Sequence, residues 1–201
     1  ILASSRVMKT LKPLSQARVS LQDEGARMLF EIGKSAESIR RLDLSENDLT
    51  VEAIRALRAT KFAKRLERLE LARNPVGDAV VSELTKIPMY PRWLELERTG
   101  MKDAGIKTLL NSQMVRLVEH LDLKSNEWTH EGAKVLGSGV EVERLHSFDL
   151  RRNALGPPDN LVKMAWSPLV LHVHRPRLSF DRIDFGIETT NRRLEIDPED
   201  M

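Results

Sequence analysis

One alternation of apolar and polar positions returns five times along the chain. It reads Leu42-Asp43-Leu44-Ser45-Glu46-Asn47-Asp48-Leu49, and then Leu69-Glu70-Leu71-Ala72-Arg73-Asn74-Pro75-Val76. Leu94-Glu95-Leu96-Glu97-Arg98-Thr99-Gly100-Met101 and Leu121-Asp122-Leu123-Lys124-Ser125-Asn126-Glu127-Trp128 follow. The fifth copy is Phe148-Asp149-Leu150-Arg151-Arg152-Asn153-Ala154-Leu155. Subtracting first positions gives spacings of 27, 25, 27 and 27 residues. In each copy the period-two start predicts a short strand with Leu42 and Leu44 on one face and Arg41, Asp43 and Ser45 on the other.

Each strand motif is followed by a helical pattern. Leu57, Leu84, Leu109 and Leu136 all stand eight residues beyond the last apolar position of their motif. Small or aliphatic residues fill the interval at helical spacing, as in Glu52-Ala53-Ile54-Arg55-Ala56-Leu57. An upstream stretch, Leu21 to Leu29, matches this helical half 28 residues before Leu49 to Leu57. Its strand half is eroded, because Leu14 is present but Gln16 and Val19 replace the second Leu and the Asn.

A tandem unit of this length is a solenoid signature. The motifs resemble the leucine-rich-repeat family, in the ribonuclease-inhibitor-like class with a helix in each repeat, over roughly residues 14–155. The helix openings Asp78-Ala79 and Asp103-Ala104-Gly105 have the texture of bacterial members. The resemblance implies an α/β fold: a right-handed βα leucine-rich-repeat solenoid, or horseshoe, with the parallel sheet concave and the helices convex. Physical reasoning agrees. A strand with one apolar face cannot be buried alone, so neighbouring repeats stack into a shared core. A helix is about 10 Å wide while parallel strands sit about 4.8 Å apart, so the helical side splays. Asn47, Asn74, Asn126 and Asn153 fall where the chain leaves each strand, and their amides are suited to backbone groups that no ladder reaches. Thr99 has fewer hydrogen-bonding atoms, and its repeat follows the short spacing with Pro88 and Pro91, so a kink is expected there.

Three regions are expected: 1–38, an N-terminal helical cap with the degenerate repeat; 39–168, the five-repeat solenoid; and 169–201, a C-terminal cap or junction. In the last, Leu169 to Val173 and Leu178 to Phe185 have β character. The chain opens on Ile1 without a Met, as expected of part of a larger protein.

Composition narrows the function classes. The 32 Lys and Arg nearly balance the 30 Asp and Glu, for a net charge of +2. The pI near 9.0 thus reflects a small excess on a highly charged surface, and nucleic-acid binding, which clusters its cations, is not expected. Cysteine is absent, which excludes disulfides and thiolate metal sites and fits a cytoplasmic setting. No apolar run reaches the length of a membrane span.

Motifs for chemistry are scarce. Gly33-Lys34-Ser35 lacks the upstream glycine of a phosphate-cradling loop, and no nucleophile-elbow serine occurs. His172 and His174 share an expected strand face, but two histidines without a third ligand do not make a metal site. No enzyme, cofactor or metal is expected.

The concave face carries the candidate site. Asp43, Glu70, Glu95, Asp122 and Asp149 form an acidic column. Arg41, Arg68, Trp93, His120 and Ser147 flank it on one side, and Ser45, Ala72, Glu97, Lys124 and Arg151 on the other. Asp43, Glu70, Trp93, Glu95, Glu97, His120, Asp122, Lys124, Asp149 and Arg151 are the expected partner-binding residues, with Trp93 and Tyr90 as aromatic anchors. The competing reading is a solvated charge lattice, since acids at this position are common in the family. The expected function is a non-enzymatic scaffold for a protein partner presenting basic residues. The alternatives are regulation of another enzyme in trans, as with the GTPase activator and ribonuclease inhibitor among the resembling proteins, or a secreted effector or sensor. Exposed strand edges near residues 169–185 leave the oligomeric state open.

Overall fold

The computed structural model describes residues 13–33, 36–135, 144–154 and 183–184. Seven strands form one sheet in sequence order: β1 (Pro13–Ser15), β2 (Arg41–Asp43), β3 (Arg68–Glu70), β4 (Trp93–Glu95), β5 (His120–Asp122), β6 (Ser147–Asp149) and β7 (Ile183–Asp184). All pairs are parallel. Between strands run α1 (Gln22–Gly33), α2 (Val51–Arg58), α3 (Gly77–Leu84), α4 (Asp103–Leu110) and α5 (His130–Ala133). This alternation of helices with parallel strands in one open sheet is the expected α/β solenoid.

Register follows the apolar pattern. Leu42 pairs with Leu69, Leu69 with Leu94, Leu94 with Leu121, and Leu121 with Phe148. These side chains and their partners two residues on, Leu44, Leu71, Leu96, Leu123 and Leu150, are buried. Against them pack the helix residues Ile54, Leu57, Val81, Leu84, Ile106 and Leu109. The core is therefore a continuous, mainly aliphatic sandwich between sheet and helix row, with Phe30, Phe62, Trp128 and Phe148 as its aromatic members.

The eroded first repeat joins the sheet, with Pro13 opposite Arg41 and Leu14 opposite Leu42. Backbone ladder bonds do not require the missing leucine. Pro13 starts a strand that pairs with β2, and a proline is tolerated at such a strand start. At the other end, β7 pairs Ile183 with Phe148, inside the Leu178-to-Phe185 stretch. The second stretch of expected β character, Leu169 to Val173, lies outside the described residues, as do His172 and His174.

The exits of β1 to β6 each turn through a residue in the left-handed region: Arg18, Glu46, Arg73, Arg98, Ser125 and Arg152, with φ from 53° to 58°. None is glycine, so each carries a local cost of about 1 kcal/mol. The asparagine column offsets it. Asn74 Oδ1 accepts from the Asn47 and Leu49 amides at 3.0 Å each. Its Nδ2 donates to the carbonyls of Leu44 and Leu71, also at 3.0 Å. Asn126 repeats the arrangement on Thr99, Met101, Leu96 and Leu123. One side chain thus ties its own exit turn to that of the preceding repeat.

Thr99 breaks this series locally. The amide of Val76, which an asparagine at position 99 would receive, turns instead to the Asn74 carbonyl at 2.8 Å. Thr99 Oγ1 stands 3.0 Å from Asn126 Oδ1 and 3.1 Å from the Leu96 carbonyl. The expected kink is not seen in the strand ladder, which pairs β3, β4 and β5 without a break. The backbone ladder is independent of the side chain at 99, so the irregularity stays in the turn.

The helices are also stitched across repeats. Thr50 caps α2 and Thr129 caps α5, each accepting from the amide two residues on. Both hydroxyls in turn donate to an aspartate of the preceding helix, Thr50 to Asp23 and Thr129 to Asp103. Asp23, Asp78 and Asp103 accept the amides of Thr50, Lys102 and Thr129 at 2.8, 2.7 and 2.6 Å. Burial raises the Asp103 pKa, but the hydrogen bonds from Thr129 and Gly132 outweigh it and hold the carboxyl below its ordinary value.

Candidate functional site

The sheet face opposite the helices presents the ten residues expected to bind a partner. Asp43, Glu70, Glu95, Asp122 and Asp149 stand in one column, because the register pairs each with the next. All five are partly exposed. Their alternation with buried leucines follows directly from the strand period.

Four of the five carboxylates have partners. Asp43 accepts the Ser15 hydroxyl and the Ser45 amide, each at 3.0 Å. Glu70 is bonded to the Arg68 guanidinium. Asp122 accepts the Lys124 amide at 2.9 Å and faces its ammonium at 3.3 Å. Asp149 is held by Arg151 at 2.6 Å. Glu95, at the centre, has no side-chain hydrogen bond or ion pair among the described residues. Burial and the charges of Glu70, Asp122 and Glu97, only partly opposed by Arg68, raise its pKa. Burial likewise raises that of Asp122, against the pull of Lys124.

Glu95, Glu97 and Asp122 each bring one carboxylate oxygen to within 4.8 Å of the others. Lys124 already sits in this group, 2.9 Å from Glu97 and 3.3 Å from Asp122. Its ammonium supplies the positive charge that a metal would otherwise bring.

Beside the acids runs a stack of planar groups. The Arg68 guanidinium lies 4.2 Å from the Trp93 ring centroid, and His120 lies 4.3 Å from Trp93 on a tilted plane. His146 continues the row, 6.2 Å from His120. Trp93 is thus half-buried between two cation-capable groups, a favourable contact for its electron-rich face. The other expected anchor, Tyr90, is exposed and lies in the loop before β4. At the strand exits, Arg73 bridges Glu46 at 3.8 Å and Glu97 at 3.6 Å.

The structure therefore brings all ten expected site residues onto one face. It adds two that the sequence reading had not put in the site, Arg68 and His146. The column position of Arg68 was legible, but its choice of Trp93 and Glu70 as partners was not. His146 precedes the strand motif, where the alternation gives no guide to its side.

A solenoid of this construction, with its Leu-x-Leu strands and an asparagine at each exit, has the fold of a leucine-rich-repeat protein. A family model described as Leucine Rich repeat matches residues 35–57. Protein NLRC5 of Homo sapiens is similar to this chain, 29% identical over 148 residues. That similarity covers 68% of this chain and 7% of the relative's length. Fold and comparisons together support a leucine-rich-repeat protein. No described helix is long and apolar enough to cross a membrane.

Proposed function

We propose that the chain is a non-enzymatic, cytoplasmic protein-binding scaffold whose concave strand face receives a partner presenting basic side chains. The observation that supports this reading most is Glu95. It is a half-buried carboxylate among carboxylates, and no cation of the described residues bonds to it. A Lys or Arg from a partner would relieve the repulsion in that column, whereas water alone does so incompletely. Trp93, fixed between Arg68 and His120, offers a rigid aromatic surface next to it, at little entropic cost on binding. The surrounding lattice of paired charges sets which partners are tolerated, as charged interface rims generally do.

The test is capture of partners by the intact solenoid and by a variant with Asp43, Glu95 and Asp122 changed to Lys, with melting curves to confirm that both fold. Partners lost by the charge-reversed protein, but kept when Glu24 and Lys102 on the helix side are reversed instead, support the reading. Partners retained at equal yield by the charge-reversed protein overturn it.

A further inference from the structure

The densest run of cations lies away from the strand face, around the loop that carries the chain from α2 to β3. Arg55, Arg58, Lys61, Lys64 and Arg65 occur with no acidic residue between them. Arg58, Lys61, Lys64 and Arg65, with Glu37 and Thr60, line a depression of about 360 Å³. Four cations and one carboxylate give this lining a formal charge of +3.

Two of the four are already matched. Arg58 stands 3.0 Å from Glu83, and Arg65 stands 3.2 Å from Glu37. Lys61 and Lys64 have no carboxylate within 4.0 Å among the described residues. That sets them apart from other cations along the same edge of the solenoid. Arg40 faces Glu67 at 3.9 Å, Lys86 faces Glu83 at 2.8 Å, and Arg92 faces Glu119 at 2.8 Å. The floor of the depression is fixed as well. Thr60 is buried, donating to the Leu57 carbonyl at 2.8 Å and accepting the Ala63 amide at 3.2 Å, so its hydroxyl is committed to the backbone.

We propose that this depression binds a small, phosphoryl-bearing polyanion. Two ammonium groups without a carboxylate partner, beside two guanidiniums each engaged by one carboxylate but with further N–H donors, make a donor set suited to phosphoryl oxygens. With Arg58 matched by Glu83 and Arg65 by Glu37, two positive charges remain, and a carboxylate ligand of single charge would neutralise only one of them. The volume falls at the small end of the range for small-molecule sites, roughly 300–1,000 Å³. That suits a compact ligand better than a segment of a folded partner. The site is on a different surface from the acidic column, so it stands or falls separately from the scaffold reading.

The experiment is isothermal titration of the chain with inorganic pyrophosphate at constant ionic strength. The expected result is saturable one-to-one binding, weakened about tenfold or more in the Lys61→Ala/Lys64→Ala variant. Both lysines are exposed, so the variant is expected to melt with the wild type. Lys102→Ala, removing an exposed cation elsewhere on the helix side, is expected to leave the affinity unchanged. A short peptide of Asp and Glu with the same net charge is expected to bind at least about tenfold more weakly than pyrophosphate. Absence of saturable heat, equal affinity in the double variant, or equal binding of the acidic peptide would each overturn the assignment.

Discussion

The carboxylate of Asp78 occupies the space that a side chain at position 105 would need. A Cβ built on Gly105 would press into Asp78 Oδ1 and lie 2.5 Å from Met101 Cγ. The same relation recurs one repeat later, where a Cβ on Gly132 would stand 2.6 Å from Asp103 Oδ1. Asp23 holds the equivalent position in its own helix and bonds to Thr50, the cap of the next helix, whose matching position is the small residue Ala53. In the remaining repeat the aspartate position is Val51, and the matching position of the next helix is Val80. A forward-reaching acid therefore goes with a small residue, and an apolar residue with an apolar one.

This coupling is testable. Gly105→Ala is expected to destabilise the protein by about 1–3 kcal/mol, the usual range for overpacking. Combined with Asp78→Val, which removes the obstructing oxygens, the cost is expected to fall well short of the sum of the two single changes. Urea denaturation of the four proteins forms the double-mutant cycle. Strict additivity would show that the two positions do not compete for the same space.

The asparagine ladder predicts an asymmetric pair of effects. Asn126→Ala strands the amides of Thr99 and Met101 in a buried turn, while the carbonyls of Leu96 and Leu123 keep the Thr99 hydroxyl and the Asn153 amide. Each orphaned group costs about 1–3 kcal/mol, so a loss of about 2 kcal/mol or more is expected. Thr99→Asn restores the ladder at its one irregular step and is expected to stabilise by about 1 kcal/mol. Chemical denaturation checks both, and a destabilising Thr99→Asn would mean that the turn has adapted irreversibly to threonine.

The pH dependence of Glu95 has a defined sign. Its pKa is raised in the folded state by burial and by Glu70, Asp122 and Glu97. The protonated form is thus favoured by folding, and this stabilisation is present in acid and lost as pH rises through the raised value. Glu95→Gln is expected to raise the melting temperature at pH 7 by a few degrees, on the order seen for small stability changes. The gain is expected to vanish below the ordinary carboxylate range, near pH 4. A gain that is equal at both pH values would place its origin outside the titration of this group.

Arg68 is expected to act on Trp93 as well as on Glu70. Arg68→Ala removes a guanidinium 4.2 Å from the indole and is expected to cost about 0.5–1 kcal/mol. It is also expected to red-shift the tryptophan emission, because of the two indoles among the described residues Trp93 is half-buried and Trp128 fully buried. Arg41→Ala, in the same column but exposed on the neighbouring strand, serves as the control. An unchanged emission in Arg68→Ala would argue that the stack does not order the ring.

The strands of the five-copy motif and the face each residue takes were legible because a period of two fixes both at once. The asparagines were legible for a related reason, since a polar residue recurring after a buried leucine needs a repeated backbone duty. The first strand was harder, because Gln16 and Val19 erase the side-chain pattern while the backbone ladder survives. The Asp–Gly coupling was not legible. Its members are separated by 27 residues for Asp78 and Gly105, 29 for Asp103 and Gly132, and 30 for Asp23 and Ala53. A drifting offset hides a pair that only stacking reveals. The role of Lys124 as counter-ion to both Glu97 and Asp122 was equally hidden, since strand columns say who is adjacent and not which rotamer is chosen.

The direction of the asparagine bonds has a consequence for how the chain is made. Asn74 completes the exit turn around Asn47, and Asn126 that around Thr99, so at these steps the turn is finished by a side chain from the repeat that follows. A polypeptide emerging from the ribosome N-terminus first therefore trails an unfinished bend at each such step. Repeat by repeat, closure lags synthesis by one unit, and the newest bend is the place where a pausing chain stays open to chaperones and proteases.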